Sequence, residues 1–309
     1  MGYVAGHQKY LNLAAEDTWG ETPGSPVYYQ VPYLTYDVSA KPQSRQAQLF
    51  TGSYQRRHNK VFRTALDGNL VVQALGYHVS SQSIFQRLMT WAMDRTDTLF
   101  LPSMLAEIGD NGVDNKRHNG LRVNTLAIAG SADSGEITMS LGLIGCLETG
   151  GISLQARDET IPQPTDFNFA DSSFLIGGST VKLRSFAINI TNNLQPKWNN
   201  TQYPDLISAG MREITYQFQL VKSANTYDAL RRSIANNNQT GRLTLKGLHG
   251  GTASNNYTTV QIDFDRLNFM NSPADIGGLN DLMEQSVDSI VLKPDTTDNE
   301  LDVTYGTAS

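Results

Sequence analysis

The stretch GEITMSLGLIGCLE, Gly135–Glu148, decides the fold class. Ile137, Met139, Leu141 and Leu143 alternate strictly with small or polar residues. A period of two puts one apolar row on one face of a half-buried β-strand. The same alternation returns in GMREITYQFQLV, Gly210–Val221, through Ile214, Tyr216, Phe218 and Leu220. Working outward, Leu121–Ala129 and Leu99–Ile108 read as strands before the first alternating stretch, and VKLRSFAINIT, Val181–Thr191, as a strand before the second.

One order of elements recurs. YLTYDVSA, Tyr33–Ala40, is strand-like and is followed by a long polar stretch, 41–60. VFRTALDGNLVVQALGY, Val61–Tyr77, is β-rich, and Ser81 then caps a helix running to Asp94. Ile84, Phe85, Leu88, Met89 and Ala92 form its apolar face. In the second half, the strand at Val181 leads to a polar stretch, 192–209, then the strand ending at Val221, then a helix from Ser223 to about Ile234. Further strands are expected at Thr240–Leu248, Tyr257–Phe269, Ser286–Leu292 and Leu301–Tyr305. The first strands start 148 residues apart, at Tyr33 and Val181, and the helices 142 apart, at Ser81 and Ser223. Residue identity between the halves is weak, so the recurrence is one of pattern. It predicts an N-terminal arm (1–30), a first unit (31–148), a linker with Gly150-Gly151, Pro162 and Pro164 (149–173) and a second unit (174–309). The fold class expected is mainly β: two tandem β-sandwich or barrel-forming domains, each with one α-helix packed on a sheet.

Composition narrows the function. Of 309 residues only 17% are charged, and 24 basic against 30 acidic residues give a net charge of −6. That balance disfavours a protein that grips nucleic acid through phosphates. The start of the chain lacks a basic stretch followed by an apolar one, and no run of about 18 apolar residues occurs, so assembly in a cytoplasm and no membrane insertion are expected. Cys146, the one cysteine, excludes an internal disulfide and reads as a small apolar residue closing a strand. The five histidines, His7, His58, His78, His118 and His249, show no metal-ligand spacing, and neither a nucleophile elbow nor a phosphate loop is present. Asp263 and Asp265 share a strand face and read as a solvated pair rather than catalytic carboxylates. No enzyme activity, cofactor or metal is expected.

Arg45, Arg56, Arg57, Lys60 and Arg63 cluster in the first polar stretch of this acidic chain. They read equally well as a solvated loop or as a dock for an acidic surface on a neighbouring copy. A loop of about 16–20 residues between paired strands is itself unusual in a compact domain and points to a role.

Two groups of residues carry a family resemblance. VKLRSFAINITNNLQPKWNN followed by GMREITYQFQLV has a strand ending in Asn192-Asn193-Leu194, a long loop, and Gly210-Met211-Arg212-Glu213-Ile214 opening an alternating strand. GLRVNTLAIAGSADSGEITMSLGLIG, Gly120–Gly145, has Gly, Val-Asn, Leu and Gly at characteristic places. Both resemble the tail tube proteins of long-tailed bacteriophages, over about 32–292.

The resemblance implies two packed β-sheets flanked by a helix. It also implies rings whose inner sheets form a continuous β-barrel, and stacking of those rings into a tube through which the genome passes. It implies a place in the phage tail, with tail terminator, tape measure and distal tail proteins as partners. Six-fold rings from six tube domains would need three chains of this duplicated kind; six chains, each with one tube domain plus an elaboration, is the alternative. The long loops are expected to contact neighbours through Arg45, Gln46, Phe50, Arg56, Arg57, Lys60, Trp198 and Tyr203. Glu213, Thr215, Gln217 and Gln219, opposite the apolar row of their strand, are the lumen candidates, and the lumen is expected to be net negative. A different class, a carbohydrate-binding β-sandwich or adhesin, would place Trp19, Trp91 or Trp198 on an exposed platform. A β-rich hydrolase would need two carboxylates facing each other across a cleft.

Overall fold

The computed structural model describes residues 9–46, 59–73, 78–79, 82–94, 100–109, 115–153, 167–221, 238–247, 257–271, 274–275, 284–292 and 300–307. Alternating apolar rows make strands here because each row has a second layer to pack on. The first half contains β1 (Tyr10–Ala15), β2 (Tyr29–Val31), β3 (Thr35–Tyr36), β4 (Ser39–Gln46), β5 (Asn59–Gln73), β6 (His78–Val79) and β7 (Gln82–Ser83). Helix α1 (Ile84–Met93) follows, then β8 (Met104–Gly109), β9 (Lys116–Ser131), β10 (Ile137–Gly145) and β11 (Leu147–Gly150). Strand β9 serves two sheets. Its first part lies between β8 and β11, in the order β2–β1–β8–β9–β11. Its last part pairs with β10, which pairs with β5, which pairs with the interrupted strand β3–β4. Every pairing is antiparallel.

The second half contains β12 (Phe167–Ile176), β13 (Ser179–Val181), β14 (Leu183–Thr191), β15 (Gln195–Lys197), β16 (Leu206–Ser208), β17 (Glu213–Val221) and β18 (Asn238–Gly247). It closes with β19 (Tyr257–Asn271), β20 (Ala274–Asp275), β21 (Glu284–Val291) and β22 (Leu301–Thr307). Here β19 serves two sheets. Its first part lies in the order β13–β12–β18–β19–β22. Its last part, continued by β20, pairs with β21, which pairs with β17, which pairs with β14. The two halves thus share one wiring: an outer sheet of five strands, and an inner set of four in which the last two strands in sequence swap places in space. Strands β1 and β2 lie in the region expected to be an arm, and β12 begins inside the expected linker. β1 and β12 are each the second member of an outer sheet, and β2 is the edge strand beside β1.

The inner sets join edge to edge. β14 pairs with β9 over seven residues, from Ser185↔Ser131 to Thr191↔Thr125. The result is one inner sheet of eight strands, in the order β3–β4, β5, β10, β9, β14, β17, β21, β19–β20. Hydrogen bonding links 18 strands in all. Among the described residues the two end strands of the sheet do not pair, and the inner sheet stays open between them.

One face of the inner sheet is core. Leu70, Leu141, Leu126, Ile190, Ile214, Val291 and Leu267 run across it in register and are all buried. They belong to one apolar cluster that also takes in both outer sheets. Helix α1 buries Ile84, Phe85, Leu88, Met89 and Ala92, the stripe expected from its sequence, and Trp91 beside them. Phe85 meets Phe167 of β12 and Tyr305 of β22 edge-on, so the helix of the first half packs on the outer sheet of the second. The helix expected from Ser223 lies outside the described residues. Gly130 shows how tight the join is: a Cβ there would lie 2.9 Å from Phe186 and 3.1 Å from both Ile137 and Phe169.

Buried polar groups tie the outer sheet of the first half. Glu107 of β8 is fully buried, and its Oε1 accepts Arg117 Nε at 2.8 Å, Nη2 at 2.6 Å and the Tyr28 hydroxyl at 2.6 Å. Burial and then the Glu107 carboxylate push the Tyr28 hydroxyl up to about 12, so it stays a donor. Cys146 is half-buried, and burial pushes its thiol up to about 11, which keeps it unreactive.

Candidate functional site

Among the described residues, the second face of the inner sheet carries no packed layer. Its middle row reads Thr35, Val71, Ser140, Ala127, Asn189, Thr215, Ile290, Asn268, one residue from each of the eight strands in continuous register. A second row reads Gln73, Thr138, Ala129, Ala187, Gln217, Asp288. A third reads Asn69, Gly142, Thr125, Thr191, Glu213. All these side chains are half-buried or exposed. Glu213, Thr215, Gln217 and Gln219 lie on this face, as expected, with their neighbours Ile214, Tyr216, Phe218 and Leu220 turned to the core.

The chemistry of the face is small and neutral. The charges within its rows are acidic, Glu213 and Asp288, joined by Asp37 and Asp67 toward the β3–β4 edge. Among the described residues, bases lie at the end of the third row, where Glu213 is followed by Leu292 and Arg266, and where β4 and β5 run on past the sheet, at Lys41 and Arg63. A face dominated by Ala, Ser, Thr, Asn and Gln, with few charges, offers a passing polyanion few cationic contacts.

The first polar loop rises from a two-stranded arm. β10 pairs with β5 only from Leu66 to Gln73, while β4 stays paired with β5 down to Gln46↔Asn59. Val61 and Phe62 are exposed on the arm, at 42% and 47%. Arg45, Gln46 and Lys60 lie on it as backbone positions; Phe50, Arg56 and Arg57 lie outside the described residues.

The second polar loop, 192–212, is held down on the first half of its own chain. Gln202 O accepts the Thr64 N–H at 2.8 Å, and Leu194 N–H donates to Asn124 Oδ1 at 2.8 Å. Arg122 donates to Ile207 O and lies under the Trp19 and Phe100 rings. Ile207, Leu194, Ala209 and Leu101 form a small separate core there. Trp198 is half-buried with the Arg63 guanidinium 4.9 Å from its ring centre, and Tyr203 is exposed at the loop tip. Nothing in the sequence signalled that this loop folds onto the first half; its anchors are backbone groups and a distant Asn and Arg.

None of the three tryptophans makes an exposed platform. Trp91 is buried in α1, Trp198 is covered by Arg63, and Trp19 donates Nε1 to Gly120 O at 3.2 Å. Asp263 is paired with Arg242 at 2.6 Å on the outer sheet.

Near the β3–β4 edge sits a buried histidine. His118 is 2% exposed, its Nδ1 lies 2.6 Å from the Tyr36 hydroxyl and its Nε2 3.2 Å from Glu148. Burial holds the Tyr36 hydroxyl well above its usual value, so it donates to Nδ1 and the imidazole N–H faces Glu148. Burial also lowers the imidazole below its usual 6.5, against the pull of Glu148. The native state therefore resists the proton. Above pH ~6.5 this group leaves stability unchanged; as pH falls through the unfolded value the unfolded chain takes up a proton that the native one refuses. Urea midpoints are expected to fall between about pH 7 and 5, by at most ~1.4 kcal/mol per pH unit from this site. His118→Gln should flatten that decline; an unchanged pH slope in the variant would assign it elsewhere.

No curated protein matches the chain. A family model described as phage tail tube protein matches residues 6–289, nearly the whole sequence, and the chain belongs to that phage tail tube protein family.

Proposed function

We propose that this chain is the building block of a phage tail tube, with copies closing into rings that stack and enclose a channel for the genome. The observation that carries this reading is the eight-strand inner sheet, packed on one face, small and polar on the other, and open at both ends. Family membership supports the structural role, the place in the virion tail and the company of other tail proteins; it is not a family of enzymes. The shared wiring of the two halves supports two tube units per chain, spanning about 10–150 and 167–307, each beginning with its own outer strands. Three copies then supply six units, and 24 inner strands, around one ring. The polar face is the lumen, with Glu213, Thr215, Gln217 and Gln219 pointing into it, and the arm of β4 and β5 reaches the next ring.

Electron microscopy of the purified protein tests the ring. Three-fold averages with a central hole are expected, and a protein that stays monomeric at high concentration would remove the reading. The lumen assignment has its own test. Ser140→Lys with Gln217→Lys sits on the open face, where neither side chain is packed. Tubes are expected to form, and DNA ejection from virions carrying the variant should slow, with the slowing relieved by added salt. Ejection at the wild-type rate would place this face outside the channel.

A further inference from the structure

A histidine of the outer sheet holds the end strand of the inner sheet. His118 sits on β9 with a strand on either side, opposite Ala106 of β8 and Glu148 of β11. Its ring lies on that of Tyr36 of β3, with centres 5.7 Å apart and planes at 16°. The Tyr36 hydroxyl donates to Nδ1 at 2.6 Å, and Nε2 donates to Glu148 Oε2 at 3.2 Å. The same oxygen accepts the Ala40 N–H of β4 at 3.3 Å. One neutral imidazole thus joins the outer sheet to β3 directly and, through Glu148, to β4. The joint needs the Nδ1 lone pair, and a second ring proton leaves the Tyr36 hydroxyl without its acceptor.

The surroundings give an imidazolium little support. Glu148 faces the ring from β11, but Lys116 of β9 stands 3.6 Å from its other oxygen. Tyr36 faces it from β3, while Asp37 and Lys41 alternate to the open face with Asp67 of β5. Glu107 and Arg117, the neighbouring positions on β8 and β9, pair with each other at 2.6 Å on the opposite face of the outer sheet. A charge on a ring only 2% exposed is costly, so a proton favours whatever opening brings in solvent. The two sides of the joint differ in hold. β9 is laddered along both edges at His118. β3 has two residues and, among the described residues, pairs with β5 alone; the pairing lapses at Asp37 and Val38 and resumes at Ser39↔Asp67. We propose that this joint is a pH-sensitive latch: protonation of His118 releases β3 and the start of β4 from the outer sheet, a local opening of the end of the inner sheet while the rest stays folded. Burial makes the closed latch refuse the proton against the pull of Glu148, so it holds at neutral pH and above and loosens as pH falls. Once opened, His118 titrates near its ordinary 6.5. The opening constant therefore grows by up to about tenfold between pH 7.5 and 5.5.

Hydrogen exchange of the dilute full-length chain tests the latch, with rates corrected for intrinsic exchange at each pH. The segment 33–42 carries the reporting amides: Leu34 and Asp37, which donate to Val71 O at 2.8 Å and Asn69 O at 3.0 Å, and Ala40. From pH 7.5 to 5.5 its corrected exchange should speed up by about tenfold at most and at least about threefold. The segment 184–191, on β14 in the middle of the inner sheet, should hold its rate. His118→Gln, whose amide can accept from Tyr36 and donate to Glu148, should lose the acid response of 33–42. Tyr36→Phe keeps the ring and removes the bond, so its 33–42 segment should exchange about two- to tenfold faster already at pH 7.5. A flat wild-type profile at 33–42, or equal acceleration at 184–191, would overturn the latch whether or not the variants fold. An acid response that persists in His118→Gln, or an unchanged rate in Tyr36→Phe, would overturn it as well.

Discussion

Asn192→Ala is expected to lower stability by about 3–5 kcal/mol, seen as a fall in the urea midpoint with an unchanged slope. Asn192 is fully buried where the two halves meet. Its Nδ2 donates to Ala92 O at 2.9 Å, at the end of α1, and to Val123 O at 3.0 Å, on β9. Its Oδ1 accepts Arg212 Nε at 3.0 Å, and its backbone N–H reaches Asn124 O at 2.8 Å. One amide therefore ties the helix end, the strand of the first half and the loop of the second. Truncation strands two buried carbonyls, each costing roughly 1–3 kcal/mol, and takes one acceptor from Arg212. Arg212 keeps Met93 O at 2.7 Å and Glu300 at 3.2 Å, so the damage stays local. Asn192→Asp keeps the shape and the acceptor but turns a carboxylate on two carbonyls, and should be no better tolerated. A loss under ~1 kcal/mol in Asn192→Ala would mean that packing alone holds the junction.

The role of Asn192 was hidden in the sequence, while the strand just before it was plain. Ser185, Ala187 and Asn189 alternate with Phe186, Ile188 and Ile190, and alternation is legible because one face is core and the other is not. The same physics made the open-face residues Glu213, Thr215, Gln217 and Gln219 on β17 readable. It failed for β1, YLNLAA, where four consecutive residues are buried, so no period of two survives. It failed again for β12, where a register shift between Asn168 and Ser173 breaks the pattern. Those two strands consequently passed for an arm and a linker. The edge of the sheet did leave a mark: Pro42 lies within β4, and proline is tolerated in a strand chiefly at an edge. What no local pattern holds is pairing between distant segments, such as β14 on β9 or the loop 192–212 on Thr64 and Arg122. Those contacts use backbone groups that every residue carries.

Gly68→Ala is expected to cost about 3 kcal/mol or more and to detach the edge strand, because the added methyl has nowhere to go. Gly68 lies on β5, opposite Leu143 of β10, where the pairing between β3–β4 and β5 lapses at Asp37 and Val38. A Cβ there would sit 2.5 Å from Val38 Cα, 2.7 Å from Val38 N and 2.8 Å from Asp37 O. These are backbone atoms, so no rotamer change relieves the clash and only a shift of the strand does. Val38 is a core residue, so moving it opens the apolar cluster beneath. Gly150→Ala is the control, since a Cβ there meets nothing within 4 Å, and should leave the urea midpoint within ~0.5 kcal/mol. A loss under ~1 kcal/mol in Gly68→Ala would show that the strand around Val38 can shift without opening the core.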